Sequence, residues 1–311
     1  MRFETPVVLI LYKRPHLTEV VFSAIAKVKP SRLFLVADGP NRSSEVENCH
    51  QARSITQRVD WDCEMQTNFS DQNLGCRERI VSGLNWVFSQ VDEAIILEDD
   101  CLPHSCFFRF CETLLDKYRH DNRVMEIGGG NYQLGKTRGG GSYYFSKYSH
   151  TNGWATWQRA WQYFDESIAI WPTLKQSGQW EIMCKEKERN YWASIYQAIF
   201  DGRLNTSWDY QWQLARWFHN GLAVVPNVNL VSNVGFGPGA THTRWEWNAF
   251  AKLPTQDIGE LRHPSSVICD EEADQYMFQK VFQGGFVRRA FRKARNAWRE
   301  SALLRSGFCS S

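Results

Sequence analysis

The first 127 residues alternate short strand-like runs with helix-periodic segments, and this alternation restricts the chain more than any other feature it has. Strand-length runs fall at residues 6–12, 31–37, 63–69, 94–97 and 123–127, and the stretches 16–27, 44–59, 77–89 and 107–118 between them are long enough for helices. Strands separated by helices do not pair as hairpins. The pattern therefore predicts an α/β fold: a mostly parallel sheet built by right-handed crossovers and flanked by helices.

Such a sheet binds ligands at the carboxyl ends of its strands, and two predicted strands end there in acids. Ala94-Ile95-Ile96-Leu97 runs directly into Glu98-Asp99-Asp100, and the strand at 31–37 ends at Asp38-Gly39-Pro40. Adjacent carboxylates repel one another. Either the three form a solvated turn, or they share a divalent cation with a diphosphate, because Mg²⁺ and Mn²⁺ bind through one or two carboxylates plus phosphate oxygens. Glycine runs at 128–130 and 139–141 lack the spacing and following helix of a dinucleotide fingerprint, and are read as the ends of a flexible loop.

From Tyr143 onward the sequence becomes aromatic-rich, with helices expected at 157–164, 180–200 and 210–219 and a strand at 221–226. Most of the fourteen tryptophans lie between Trp154 and Trp247, where they either fill a core or offer ring faces to sugars. The segment 229–243 is rich in Asn and Gly, carries His242, and is suited to closing over a ligand.

A hydrophobic content of 43% excludes a disordered chain. No stretch reaches the ~18 apolar residues of a membrane span, and the first residues enter a strand without a signal-peptide layout. The expected location is cytoplasmic. Nine cysteines without paired spacing read as reduced thiols, and no nucleic-acid partner is expected. Residues 284–311 hold Arg288, Arg289, Arg292, Lys293, Arg295, Arg299 and Arg305 against the single acid Glu300. One reading is a basic amphipathic helix resting peripherally on the inner face of a membrane; the other is a solvated helix or one packed on a partner chain. The expected organisation is a domain over 1–265, with a nucleotide-binding half at 1–127 and an aromatic-rich acceptor-side half at 128–265, followed by a basic helical tail at 266–311.

Three local patterns carry a family resemblance. Ile95-Ile96-Leu97-Glu98-Asp99-Asp100-Cys101-Leu102-Pro103, followed by Phe107-Phe108-Arg109-Phe110, resembles the Glu-Asp-Asp motif and helix of the inverting N-acetylglucosaminyltransferase I family, within the GT-A-type (Rossmann-like) nucleotide-sugar transferases. Asn152-Gly153-Trp154-Ala155-Thr156-Trp157 is similar to that family's Gly-Trp segment, and Ser207-Trp208-Asp209-Tyr210-Gln211-Trp212 to its Trp-Asp-Asp-Trp segment. Bacterial haemolysin-like sugar transferases share the Asn73-Leu74-Gly75-Cys76 and Gly153-to-Trp157 patterns. The resemblance spans about residues 6–243. Tyr210 replaces a second acid, and the opening turn is Lys13-Arg14-Pro15.

The resemblance implies an inverting, metal-dependent glycosyltransferase that uses a nucleotide diphosphate sugar, such as a UDP-sugar, for hexosyl or N-acetylhexosaminyl transfer to a glycan or glycoconjugate in polysaccharide biosynthesis. Asp100 would hold Mn²⁺ or Mg²⁺ on the diphosphate, with His242 completing the metal shell when its loop closes. Asp99 would lie near the ribose or donor sugar, Glu98 would support it, and Asp38 would read the pyrimidine edge or else cap its turn. Leu11, Arg14 and Arg77 would border the nucleotide. Gly153, Trp154 and Trp208 would form the acceptor side. Asp209 would be the base, its pKa raised by Trp208 and Trp212, or else a helix cap. A sugar nucleotidyltransferase and a non-catalytic carbohydrate-binding or membrane-associated scaffold are the alternatives; the first normally has a glycine-rich phosphate loop after the first strand, absent between Leu11 and His16.

Overall fold

A computed structural model describes residues 2–235 and 252–283. His242 and the basic segment 284–311 lie outside the described residues. In chain order the elements begin β1 (Val7–Leu11), α1 (Pro15–Val28), β2 (Arg32–Ala37), α2 (Val46–Ile55), β3 (Glu64–Phe69), α3 (Cys76–Phe88), β4 (Glu93–Glu98), β5 (Cys101–Pro103), α4 (Ser105–Tyr118) and β6 (Val124–Gly128). There follow β7 (Tyr143–Ser146), β8 (Trp154–Trp157), α5 (Gln158–Trp161), α6 (Trp171–Gln176), α7 (Gln179–Met183), α8 (Glu186–Phe200), α9 (Asp209–Phe218), β9 (Leu222–Pro226), β10 (Val231–Asn233) and α10 (Glu271–Met277).

Eight strands form one sheet in the order β3-β2-β1-β4-β8-β6-β9-β7, and β10 pairs antiparallel with β5 beside it. β3, β2, β1 and β4 are mutually parallel, β6 and β9 are parallel to each other, and β8 and β7 run antiparallel to their neighbours. The expectation of a mostly parallel, Rossmann-like sheet holds. The central strand β1 is apolar and buried throughout because both its faces are covered, whereas the edge strand β3 is polar and partly exposed. In β1, Val7, Leu9 and Leu11 enter the core shared with α1 and α4, while Val8 and Ile10 enter the core shared with α3. A third, aromatic core joins α6, α7, α8 and α9 to α10 and the π-turn Phe278–Gln283.

Three arrangements differ from the sequence reading. β8 inserts antiparallel between β4 and β6, pairing Ile95 and Ile127 with opposite sides of Ala155, so a segment read as acceptor surface forms the middle of the sheet. The glycines at 128–130 are buried rather than part of a flexible loop: Gly129 N donates to the Gly153 carbonyl at 2.8 Å, and the Gly129 carbonyl accepts from Leu230 N at 2.9 Å. Residues 269–283 are not tail. Asp270 N donates to the Phe145 carbonyl at 2.8 Å, and Met277 and Phe278 are buried in the aromatic core. Periodicity reports which residues avoid water and is silent on which segment covers them, and so these contacts escaped it. Among the described residues, no helix is long and apolar enough to cross a membrane, and the eight described cysteines are free.

Candidate active site

Pro15 opens α1 at a position where its missing N–H is no loss. The Arg14 carbonyl, just before it, accepts from Leu17 N at 3.0 Å and Thr18 N at 2.9 Å. This anchoring aims the Arg14 side chain across the end of β1 at the turn after β4. There its guanidinium forks: Nη2 pairs with Asp99 Oδ1, and Nη1 pairs with Asp100 Oδ2 at 2.9 Å. Asp99 is almost wholly buried, and its Oδ2 accepts from Tyr12 N at 3.3 Å. The repulsion expected among the three acids is thus relieved in part by Arg14, a counter-charge the sequence reading did not place there.

The third acid is kept neutral. Half-buried Glu98 is pushed up to about 8, first by desolvation, then by the charges of Asp100 and Asp99, with Arg14 opposing and Asp209 adding to the rise. A free glutamate titrates near pH ~4.3, so the folded chain holds a proton here that the unfolded chain releases between these values. Stability attributable to Glu98 therefore falls as pH rises through that window and levels off above pH 8. Thermal melts of the wild type and of Glu98→Gln should diverge steadily from pH 4.5 to 8, with the variant gaining; parallel curves would remove this account.

Cys76, the first residue of α3, is exposed. Its thiol is pushed up by desolvation and then by the charges of Glu98, Asp209, Asp100 and Asp38 in turn. Carboxylates from three separate parts of the chain, the turn after β4, the end of β2 and the start of α9, therefore act on this one thiol.

Of the two roles considered for Asp38, the contacts are those of the turn cap. Its Oδ1 accepts from Gly39 N and Leu74 N, both at 2.9 Å, and its Oδ2 from Asn73 Nδ2 at 2.9 Å and Gly75 N at 3.0 Å. A carboxylate has about four acceptor positions, so none is left to read a pyrimidine N–H. Asp38 clamps the turn at 73–75 against the end of β2. Arg77 is paired with Glu166 at 3.2 Å across a partly exposed contact, and Leu11 is buried beneath the site.

The acceptor-side expectation is also corrected. Trp154 and Trp208 are 1% and 5% exposed, and their ring centroids are 5.6 Å apart in a cluster with Trp161 and Trp212. These rings are core and offer no face to a sugar. Gly153 turns the chain at φ +69°, beneath Val231. Asp209, expected to be desolvated by Trp208 and Trp212, is exposed instead. It is the first residue of α9 rather than its cap, and its Oδ1 accepts from the Ser207 hydroxyl.

Asp209 opens onto a cavity of about 110 Å³ lined by Ser149, Thr151, Asn152, Tyr210, Gln213 and Arg216, with His150, Trp212 and Phe282 completing the wall. Burial pushes the His150 imidazole down to about 4, so it is neutral. Arg216 and Glu126, both wholly buried, form an ion pair at 3.1 Å beneath this cavity, and Trp212 Nε1 donates to the same Glu126 oxygen at 2.7 Å. This pair was missed in the sequence, although a glutamate inside Val124-Met125-Glu126-Ile127 signals that a buried partner must exist.

Among the described residues, no group of three or more His, Cys, Asp or Glu converges on one metal position. Among the described residues, Asp100 Oδ1 is held by the Cys101 thiol at 3.6 Å. One carboxylate of this kind suits a hard cation that takes its remaining ligands from a diphosphate and water; both Asp99 oxygens are already engaged, Oδ1 by Arg14 and Oδ2 by Tyr12 N.

The chain matches no family model and no curated protein. Among solved structures it is similar to mouse xyloside xylosyltransferase 1 in its apo form, at 10% identity over 71% of this chain and 84% of that one, with a TM-score of 0.39. It is also similar to HddC from Yersinia pseudotuberculosis, at 10% identity over 50% of this chain and 78% of that one, with a TM-score of 0.32. A third similar structure is UDP-glucose pyrophosphorylase complexed with UDP-glucose, at 12% identity over 46% of this chain, with a TM-score of 0.25. The match spans 62% of the pyrophosphorylase.

Proposed function

We propose that this chain is a glycosyltransferase that moves a sugar from a nucleotide diphosphate sugar to a hydroxyl of a glycan or glycoconjugate, by direct displacement with inversion. The observation that supports it is that Asp209 lies near enough to the acidic turn after β4 to act with Glu98, Asp100 and Asp38 on the one Cys76 thiol. Transfer needs a neutralised leaving diphosphate, a deprotonated acceptor hydroxyl and a pocket holding both in line. Arg14 and Asp100 stand on the donor side, Asp209 is the exposed base, and the polar cavity beside it receives the acceptor. Mn²⁺ or Mg²⁺ held by Asp100 would, when bound, neutralise charge on the leaving diphosphate.

A nucleotidyltransferase is disfavoured because the turn Tyr12-Lys13-Arg14-Pro15 after β1 has no glycine with which to wrap phosphates. Calorimetry with UDP, with and without Mn²⁺, followed by a nucleotide-sugar panel scored by released nucleotide, tests the reading. Binding of UDP together with nucleotide release that depends on an added glycan acceptor is the expected result. Absence of nucleotide affinity would point to a scaffold.

A further inference from the structure

We propose that Arg14 is a resident counter-ion that occupies the Asp99–Asp100 carboxylates, so that a divalent cation enters the site only together with an anionic diphosphate. This rests on the donor-site reading above.

The geometry is that of a bidentate fork closed from the outside. One guanidinium nitrogen is on Asp99 and the other is 2.9 Å from Asp100 Oδ2, with less than a fifth of the Arg14 side chain exposed. The chain after β10 seals the pair. Val234 N donates to the Asp100 carbonyl at 2.8 Å, and a Cβ placed on Gly235 would lie 2.2 Å from Asp100 Oδ2 and 2.8 Å from Arg14 Nη1. A side chain at this position would have to displace the pair.

A dication approaching Asp100 meets a fixed positive charge within a few ångströms, in surroundings where such repulsion is several-fold stronger than in water. The same guanidinium is a ready partner for a diphosphate, whose oxygens match its planar fork. Arrival of the diphosphate thus gives Arg14 a second anion and frees Asp100 for the metal. Lysine is no substitute, because a point charge cannot hold two carboxylates in this geometry.

Titrating Mn²⁺ against the protein and reading free metal by electron paramagnetic resonance tests this without any turnover. In the absence of nucleotide, Arg14→Gln should bind Mn²⁺ about tenfold or more tightly than the wild type, and adding Asp100→Asn to that variant should abolish the gain. Arg14→Lys should fall between the two and serves if Arg14→Gln does not fold. Equal nucleotide-free affinity in the wild type and in the folded Arg14 variant would overturn the inference, as would a gain that survives Asp100→Asn. These arms need no nucleotide. Failure of UDP to bind any variant would instead count against the transferase reading.

Discussion

Replacing Asp209 by Asn lowers sugar transfer by about 10²–10⁴, the usual worth of a positioned general base, while UDP affinity and folding stay as in the wild type. The side chain is exposed at the first position of α9, and its Oδ1 accepts from the Ser207 hydroxyl, a contact that Asn preserves. No apolar core is disturbed. Loss of a carboxylate near a helix N-terminus costs about 0.3–1 kcal/mol, too little to unfold a domain. The measurement is single-turnover nucleotide release with the best donor and acceptor, alongside UDP calorimetry. Near-normal turnover would take Asp209 out of the chemistry. A fall in UDP affinity to match the fall in rate would move it to the donor side.

The largest stability effect lies below that aspartate. Arg216 and Glu126 are 1% and 0% exposed and form an ion pair at 3.1 Å, with Arg216 Nη2 also donating to Ser149 Oγ at 2.8 Å. Arg216→Met leaves the Glu126 carboxylate in the core with, among the described residues, Trp212 Nε1 as its remaining hydrogen-bond donor. Breaking a buried pair from one side costs about 3–5 kcal/mol. The double variant Glu126→Leu with Arg216→Met should recover most of this, because apolar replacement of a whole buried pair is often neutral. Urea unfolding of the wild type, the single and the double variants reads both effects. A single-variant loss below about 1 kcal/mol, the range of an exposed pair, would show that water reaches the carboxylate.

Much of the donor edge was legible in one dimension. A strand that runs from Ile95-Ile96-Leu97 into three acids can surface only at its carboxyl end, and Asp38 at the end of another parallel strand must lie on the same edge. The partners of those acids were not legible. Arg14 lies 85 positions from Asp99 and meets it only because β1 and β4 are hydrogen-bonded neighbours. The same adjacency in space, between β2 and the turn at 73–75, saturates Asp38 and turns an expected ligand group into a clamp. On the acceptor side the sequence left the tryptophans between two roles, core and sugar-facing surface. An aromatic segment looks the same in sequence whether its rings line a surface or, as with Trp154 and Trp208, pack on one another beneath it.

Local chemistry alone therefore determined the strand and helix pattern, the parallel sheet and the acidic edge, because side-chain periodicity and strand length are properties of neighbouring residues. Tertiary structure decided the charge state and use of each acid: Glu98 protonated, Asp99 and Asp100 bridged by Arg14, Asp38 clamped, Asp209 exposed. Charge state depends on desolvation and on opposite charges within a few ångströms, and those neighbours are supplied by strand pairing and helix docking between distant parts of the chain.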